Sequence, residues 1–146
     1  MNFPRVAMAA VAAWVVYLGV SFLVHAVLLA DLYAQHRDRM RPEAEQAGIL
    51  PIGFALALLG FFAFAYAYAK GYEGGSGAQE GLRFGVLVGI LICCFCLIFQ
   101  FMAWPVSATL LAAWFVDYIA EFALYGAIVG SIYKPQRAAA RRGAAV

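Results

Sequence analysis

Asp117 and Glu121 lie one helical turn apart in an apolar run, residues 106–132, in which no other side chain carries a formal charge. That spacing puts both acids on one helix face, with Trp114, Tyr118 and Tyr125 beside them and Leu111, Phe115, Ile119 and Phe122 opposite. Paired carboxylates in an apolar setting are the equipment of proton relays and cation sites. Each charged acid at the centre of a membrane span costs roughly 2.5 to 3.5 kcal/mol, so both are expected to look into protein while the apolar face meets lipid.

Other residues that could do chemistry are sparse. His25 shares a stripe with Trp14, Leu18 and Ser21, and His36 falls in a polar loop. A b-type haem needs two histidines facing each other inside the bundle, and the Glu-x-x-His pairs of di-iron bundles are absent, so neither metal nor cofactor is expected. Cys93, Cys94 and Cys96 lie within one apolar run and form no Cys-x-x-Cys pair. The loop with Gly71, Gly74, Gly75 and Gly77 lacks the lysine and serine of a phosphate-binding loop and reads as a flexible connector. With no complete nucleophile, motif or metal constellation, an enzyme ranks last among the functional readings.

The elements that must position these residues follow from composition. Of 146 residues, 66% are hydrophobic and only 12% charged, more apolar surface than a soluble domain of this length can bury. The expected fold class is all-α: an integral membrane protein forming an antiparallel four-helix transmembrane bundle, in one membrane domain. Its spans are read at about 6–30, 49–69, 82–103 and 106–132, followed by a basic tail, 133–146. The first span is too long for a signal-peptide core. Between the first two lies a polar stretch of mixed charge, read as a surface turn or short interfacial helix, and Pro51 is placed in the first turn of the second span.

Gly81, Gly85 and Gly89 recur every four residues, and helical steps carry their stripe on to Cys93, Cys96 and Gln100. Small residues at this spacing let helices approach closely in lipid. Gly53 and Gly60 give the second span a similar small side, and together these five glycines are the expected packing seam. Trp104 and Pro105 make a short turn into the fourth span, so the seam and the acids are expected at similar depth and facing each other. Asp117, Glu121, His25, Ser21 and Gln100 would then form an intramembrane polar network.

Arg5, Lys70, Arg83, Lys134, Arg137, Arg141 and Arg142 fall on one side of such a bundle and only Arg37, Arg39 and Arg41 on the other, which favours cytoplasmic termini. The net charge of +2 gives no reason to expect nucleic acid. The expected partners are the lipid bilayer and other membrane subunits or further copies of the chain.

The string Gly-Gly-Ser-Gly-Ala-Gln-Glu-Gly-Leu-Arg-Phe-Gly-Val-Leu-Val-Gly, residues 74–89, resembles a stretch of uncharacterised small bacterial membrane proteins with an EGLRFG-type start to the third span. The resemblance implies a four-span protein of the bacterial inner membrane and carries over no catalytic residue.

Two functions remain. In the first, the acids fix helix register and the chain serves as an accessory or structural subunit packed against a larger membrane complex. In the second, a small transporter moves protons or cations along a polar ladder. His25 and Ser21 would lie outside Asp117, and Tyr125, Tyr66 and Tyr68 inside Glu121, leading to Lys70. The first ranks ahead, because burial alone establishes no activity.

Overall fold

A computed structural model describes residues 1–133, and the basic residues Lys134, Arg137, Arg141 and Arg142 lie outside them. Every element among the described residues is helical. Asn2 starts α1 (Phe3–Ser21) by accepting the Arg5 N–H at 3.3 Å, with Pro4 in the first turn where its missing N–H is harmless. The helix widens into a π-helical segment, Phe22–Leu28, which carries His25. A short α2 (Ala30–Ala34) and a 3₁₀ turn, Arg37–Arg39, lead to α3 (Glu43–Gly71). Pro51 therefore lies inside α3 rather than in its first turn. The polar residues of the preceding stretch have good helix propensity, so the helix starts at Glu43, ahead of the apolar run.

α4 (Gly77–Ile92) continues through a second π-helical segment, Cys93–Leu97, into α5 (Ile98–Ala103). Ser107 then caps α6 (Ala108–Ile132) by accepting the Leu110 N–H at 3.2 Å. Four continuous stretches are long and apolar enough to cross a membrane: Phe3–Leu28, Glu43–Gly71, Gly77–Ala103 and Ala108–Ile132.

The most extensive helix pairing joins α4 to α6. A Cβ added to Gly77, Gly81 or Gly85 would fall on the carbonyl oxygen of Gly130, Gly126 or Phe122 respectively, and one on Gly89 would come 2.9 Å from the Ile119 Cα. The residue numbers rise along α4 as they fall along α6. This contact corrects the expected arrangement: the glycines meet Ile119, Phe122, Gly126 and Gly130, the side of α6 opposite the acids. Gly126 and Gly130 prolong the stripe of Ile119 and Phe122, which makes that side shallow enough for another backbone. The Phe122 face is thus a protein contact and does not simply meet lipid.

Gly53 and Gly60, expected in the same seam, have nothing within 4 Å of a Cβ among the described residues. The small residues of α3 leave space instead of closing it. α1 packs on both α3 and α6 through Ala9, Ala10 and Ala13, all fully buried, and Trp14 donates its indole N–H to the Phe54 carbonyl of α3 at 3.0 Å. α3 meets α4 chiefly through the rings of Phe64 and Tyr68 on Phe84. Phe61, Tyr125 and Tyr133 complete this aromatic core, and a second cluster gathers Cys93, Leu97, Val106, Leu110 and Trp114.

Gly85→Ala should lower stability by at least about 2 kcal/mol, since the new methyl meets backbone that cannot repack. Gly53→Ala should be neutral or stabilising by about 0.5 to 1 kcal/mol through helix propensity. Thermal unfolding in mild detergent followed by circular dichroism measures both, and equal effects would contradict the glycine contact.

Candidate functional site

The site begins outside the long helices. His36 is buried in the turn after α2, where its Nδ1 faces the Leu32 carbonyl at 2.9 Å and its Nε2 accepts the Ser107 N–H at 3.0 Å. The second bond requires a bare Nε2, so the proton belongs on Nδ1, which donates to Leu32. Arg39 donates to the Pro105 carbonyl. These bonds fasten the connection between α1 and α3 over the turn between α5 and α6.

Fastened there, Tyr33 becomes a hub. Its hydroxyl accepts the Trp114 indole N–H at 2.9 Å and lies 2.7 Å from His25 Nδ1. Indole can only donate, so the Tyr33 O–H is free to donate to Nδ1, which leaves the imidazole proton on Nε2. That N–H faces Asp117 Oδ2 at 3.7 Å, longer than a hydrogen bond. The Asp117 side chain is 8% exposed and has the His25 N–H as the donor group facing it.

Glu121 has no ion pair among the described residues. The residue is 8% exposed, and neither its buried Oε1 nor the buried hydroxyl of Tyr125 one turn further along α6 makes a well-formed hydrogen bond there, although the two groups are close enough to interact. Rings surround this pair: Phe61 lies 5.1 Å and Tyr17 6.1 Å from the Tyr125 ring between centroids, and Phe122 lies 5.9 Å away. Glu121 and Tyr125 border a cleft of about 1440 Å³ between α1, α3, α4 and α6. Ala57, Gly60 and Ala67 form part of its α3 wall, so the small residues of that helix open onto this space.

The structure brings together His25, Asp117, Tyr33 and Trp114, and sets Glu121 one turn away. Ser21 borders the cleft with Glu121, whereas Gln100 is exposed on α5 and does not line it. The inner half of the expected ladder takes a different course. Tyr66 is exposed, with the Lys70 ammonium 5.7 Å from its ring, and Tyr68 is buried and donates to the Gly77 carbonyl at 3.1 Å. Polar groups therefore run from the 30–42 connection to Tyr125 and give way to Phe61, Phe64 and Val129.

Tyr33 and His36 are members of this hydrogen-bonded cluster that loop position alone conceals. Their aromatic and imidazole groups could equally have sat at a headgroup boundary, and only the docking of the connection shows otherwise. Among the described residues no group of three or more His, Cys, Asp and Glu is arranged to hold a metal ion. Cys93 is buried with its thiol 3.8 Å from the Phe115 carbonyl, and Cys94 and Cys96 are exposed free thiols. No protein-family model, curated protein or solved structure matches the chain.

Burial holds the Tyr33 phenol above the usual tyrosine range; the Trp114 hydrogen bond pulls the other way and the negative charge of Asp117 and Glu121 pushes further up. The folded value is raised, so the stabilisation is complete below the unfolded phenol's pKa and is lost as pH climbs through the folded one. Tyr33→Phe leaves the Trp114 N–H and His25 Nδ1 without their partner and should cost about 1 to 3 kcal/mol at neutral pH. It should also flatten the alkaline loss of stability. Melting curves from neutral to alkaline pH check both, with the exposed Tyr66→Phe expected to change neither.

Proposed function

We propose that the chain is a multi-pass protein of the bacterial inner membrane, an antiparallel four-helix bundle with cytoplasmic termini, acting as an accessory or structural subunit of a larger membrane complex. The observation that carries this reading is where the polar groups stop. His25, Asp117, Tyr33 and Trp114 bind one another and the 30–42 connection, and beyond Tyr125 the interior is aromatic and aliphatic. Such a network fixes how α1, α6 and the connection fit together, and beyond it the buried Tyr68 hydroxyl is taken up by the Gly77 carbonyl.

The outer surface supports the same reading. Leu56, Phe95 and Val116 are between 62% and 70% exposed, on three different helical stretches, which suits lipid or neighbouring subunits on several sides. The asymmetry of Lys and Arg supports the orientation. A second reading, proton- or cation-coupled transport through Asp117 and Glu121, is favoured by one observation: the buried Oε1 of Glu121, which makes no well-formed hydrogen bond among the described residues.

Gentle detergent extraction should bring the chain out in an assembly far heavier than its own 15.8 kDa, and the double substitution Asp117→Asn, Glu121→Gln should loosen that assembly. Migration as a bare monomer, together with proton or cation flux in liposomes that the double substitution abolishes, would favour transport instead.

A further inference from the structure

We infer that the cleft between α1, α3, α4 and α6 binds an amphipathic organic cation, an amine with an apolar body, whose ammonium group sits against Glu121. This goes beyond the subunit reading and does not depend on it. Three observations converge on the cleft. First, its size, about 1440 Å³, exceeds the roughly 300 to 1,000 Å³ of pockets for drug-sized molecules, so an apolar body and a cationic head fit together. Second, Phe54, Phe61, Phe64 and Phe84 line it, and such walls accept hydrocarbon.

Third, the cleft holds an unmet demand for donors. Among the described residues Glu121 is 8% exposed with no well-formed hydrogen bond to Oε1, and the buried Tyr125 hydroxyl of the same helix, close enough to interact with that carboxylate, makes no well-formed bond either. An ammonium carries N–H donors for both oxygens and a charge that the faces of Tyr17, Tyr118 and Tyr125 attract. Asp117 makes no such demand, because His25 stands against it.

The competing occupant, a phospholipid, fits less well. Its acyl chains would bring neither a donor nor a positive charge to Glu121. At the mouth of the cleft, Arg37 is paired with Glu43 at 2.6 Å and Arg41 with Glu45 at 3.1 Å, so a phosphate there would compete with two carboxylates.

Calorimetric titration of the full chain in phosphatidylcholine nanodiscs, with empty nanodiscs subtracted, tests the inference using 6-phenylhexylamine and its neutral counterpart 6-phenylhexanol. The amine should bind saturably and at least about tenfold more tightly than the alcohol, as expected when a charge-assisted hydrogen bond to a buried carboxylate is at stake. Glu121→Gln should remove that advantage while Asp117→Asn retains it. Ala57→Phe, which narrows the cleft without touching the acids, should weaken both probes and serves if Glu121→Gln does not fold. Equal binding of amine and alcohol, binding that never saturates, equal loss in the two acid variants, or indifference to Ala57→Phe would each overturn the proposal.

Discussion

Backbone-to-backbone contact between α4 and α6 is the constraint on which the rest of the structure depends. Gly77, Gly81, Gly85 and Gly89 bring α4 so near α6 that three of their α-hydrogens occupy space where a methyl would strike a carbonyl oxygen. Where lipid removes the hydrophobic drive between helices, dispersion at such short range is what remains to hold them together. The contact also fixes how α6 is rotated. With Ile119, Phe122, Gly126 and Gly130 committed to α4, Asp117 and Glu121 must point elsewhere, toward α1 and the cleft beside α3.

The π-helical segment at Phe22–Leu28 gains meaning from that rotation. Widening the end of α1 sets His25 where it can reach both Tyr33 and Asp117, a placement consistent with the tendency of π segments to occur at functional positions. The connection after α2 supplies the other partner only because His36 and Arg39 secure it to the turn before α6. A carboxylate buried on one helix is thus stabilised through a chain of contacts that starts in a polar loop. Loss of any member leaves a donor or acceptor stranded, which makes the network a strong determinant of a single arrangement.

Much of this is legible in the sequence, and the illegible part has a definite physical cause. Four apolar runs with Pro, Gly and charge clusters between them specify four long helices, because hydropathy and length alone govern that inference. The company of Trp114, Tyr118 and Tyr125 around the acids follows from helical spacing. Which side of α6 meets the glycines does not follow so simply. Ile119 and Phe122 are as suited to acyl chains as to protein, and the decisive signal is Gly126 with Gly130, whose four-residue spacing matches that of α4. Gly53 and Gly60 show the converse: small residues at helical spacing permit close approach without compelling it, and on α3 the space stays open. Tyr33 leaves no trace in local pattern at all, since its role depends on a loop docking onto residues far along the chain.

The two acids are equivalent by composition and spacing, yet the fold treats them differently. One turn of α6 carries Asp117 to the level of His25, and the next carries Glu121 past the end of the hydrogen-bonded network to the border of an aromatic cleft. A buried carboxylate beside a histidine contributes to holding helices in register. A buried carboxylate with no cation and only a phenol of its own helix beside it weakens the fold that contains it, unless something else supplies a further donor. If register were the sole requirement, Asp117 would suffice and an apolar residue at 121 would give a more stable bundle. The burden carried by Glu121 is therefore best explained by what can enter the space beside it.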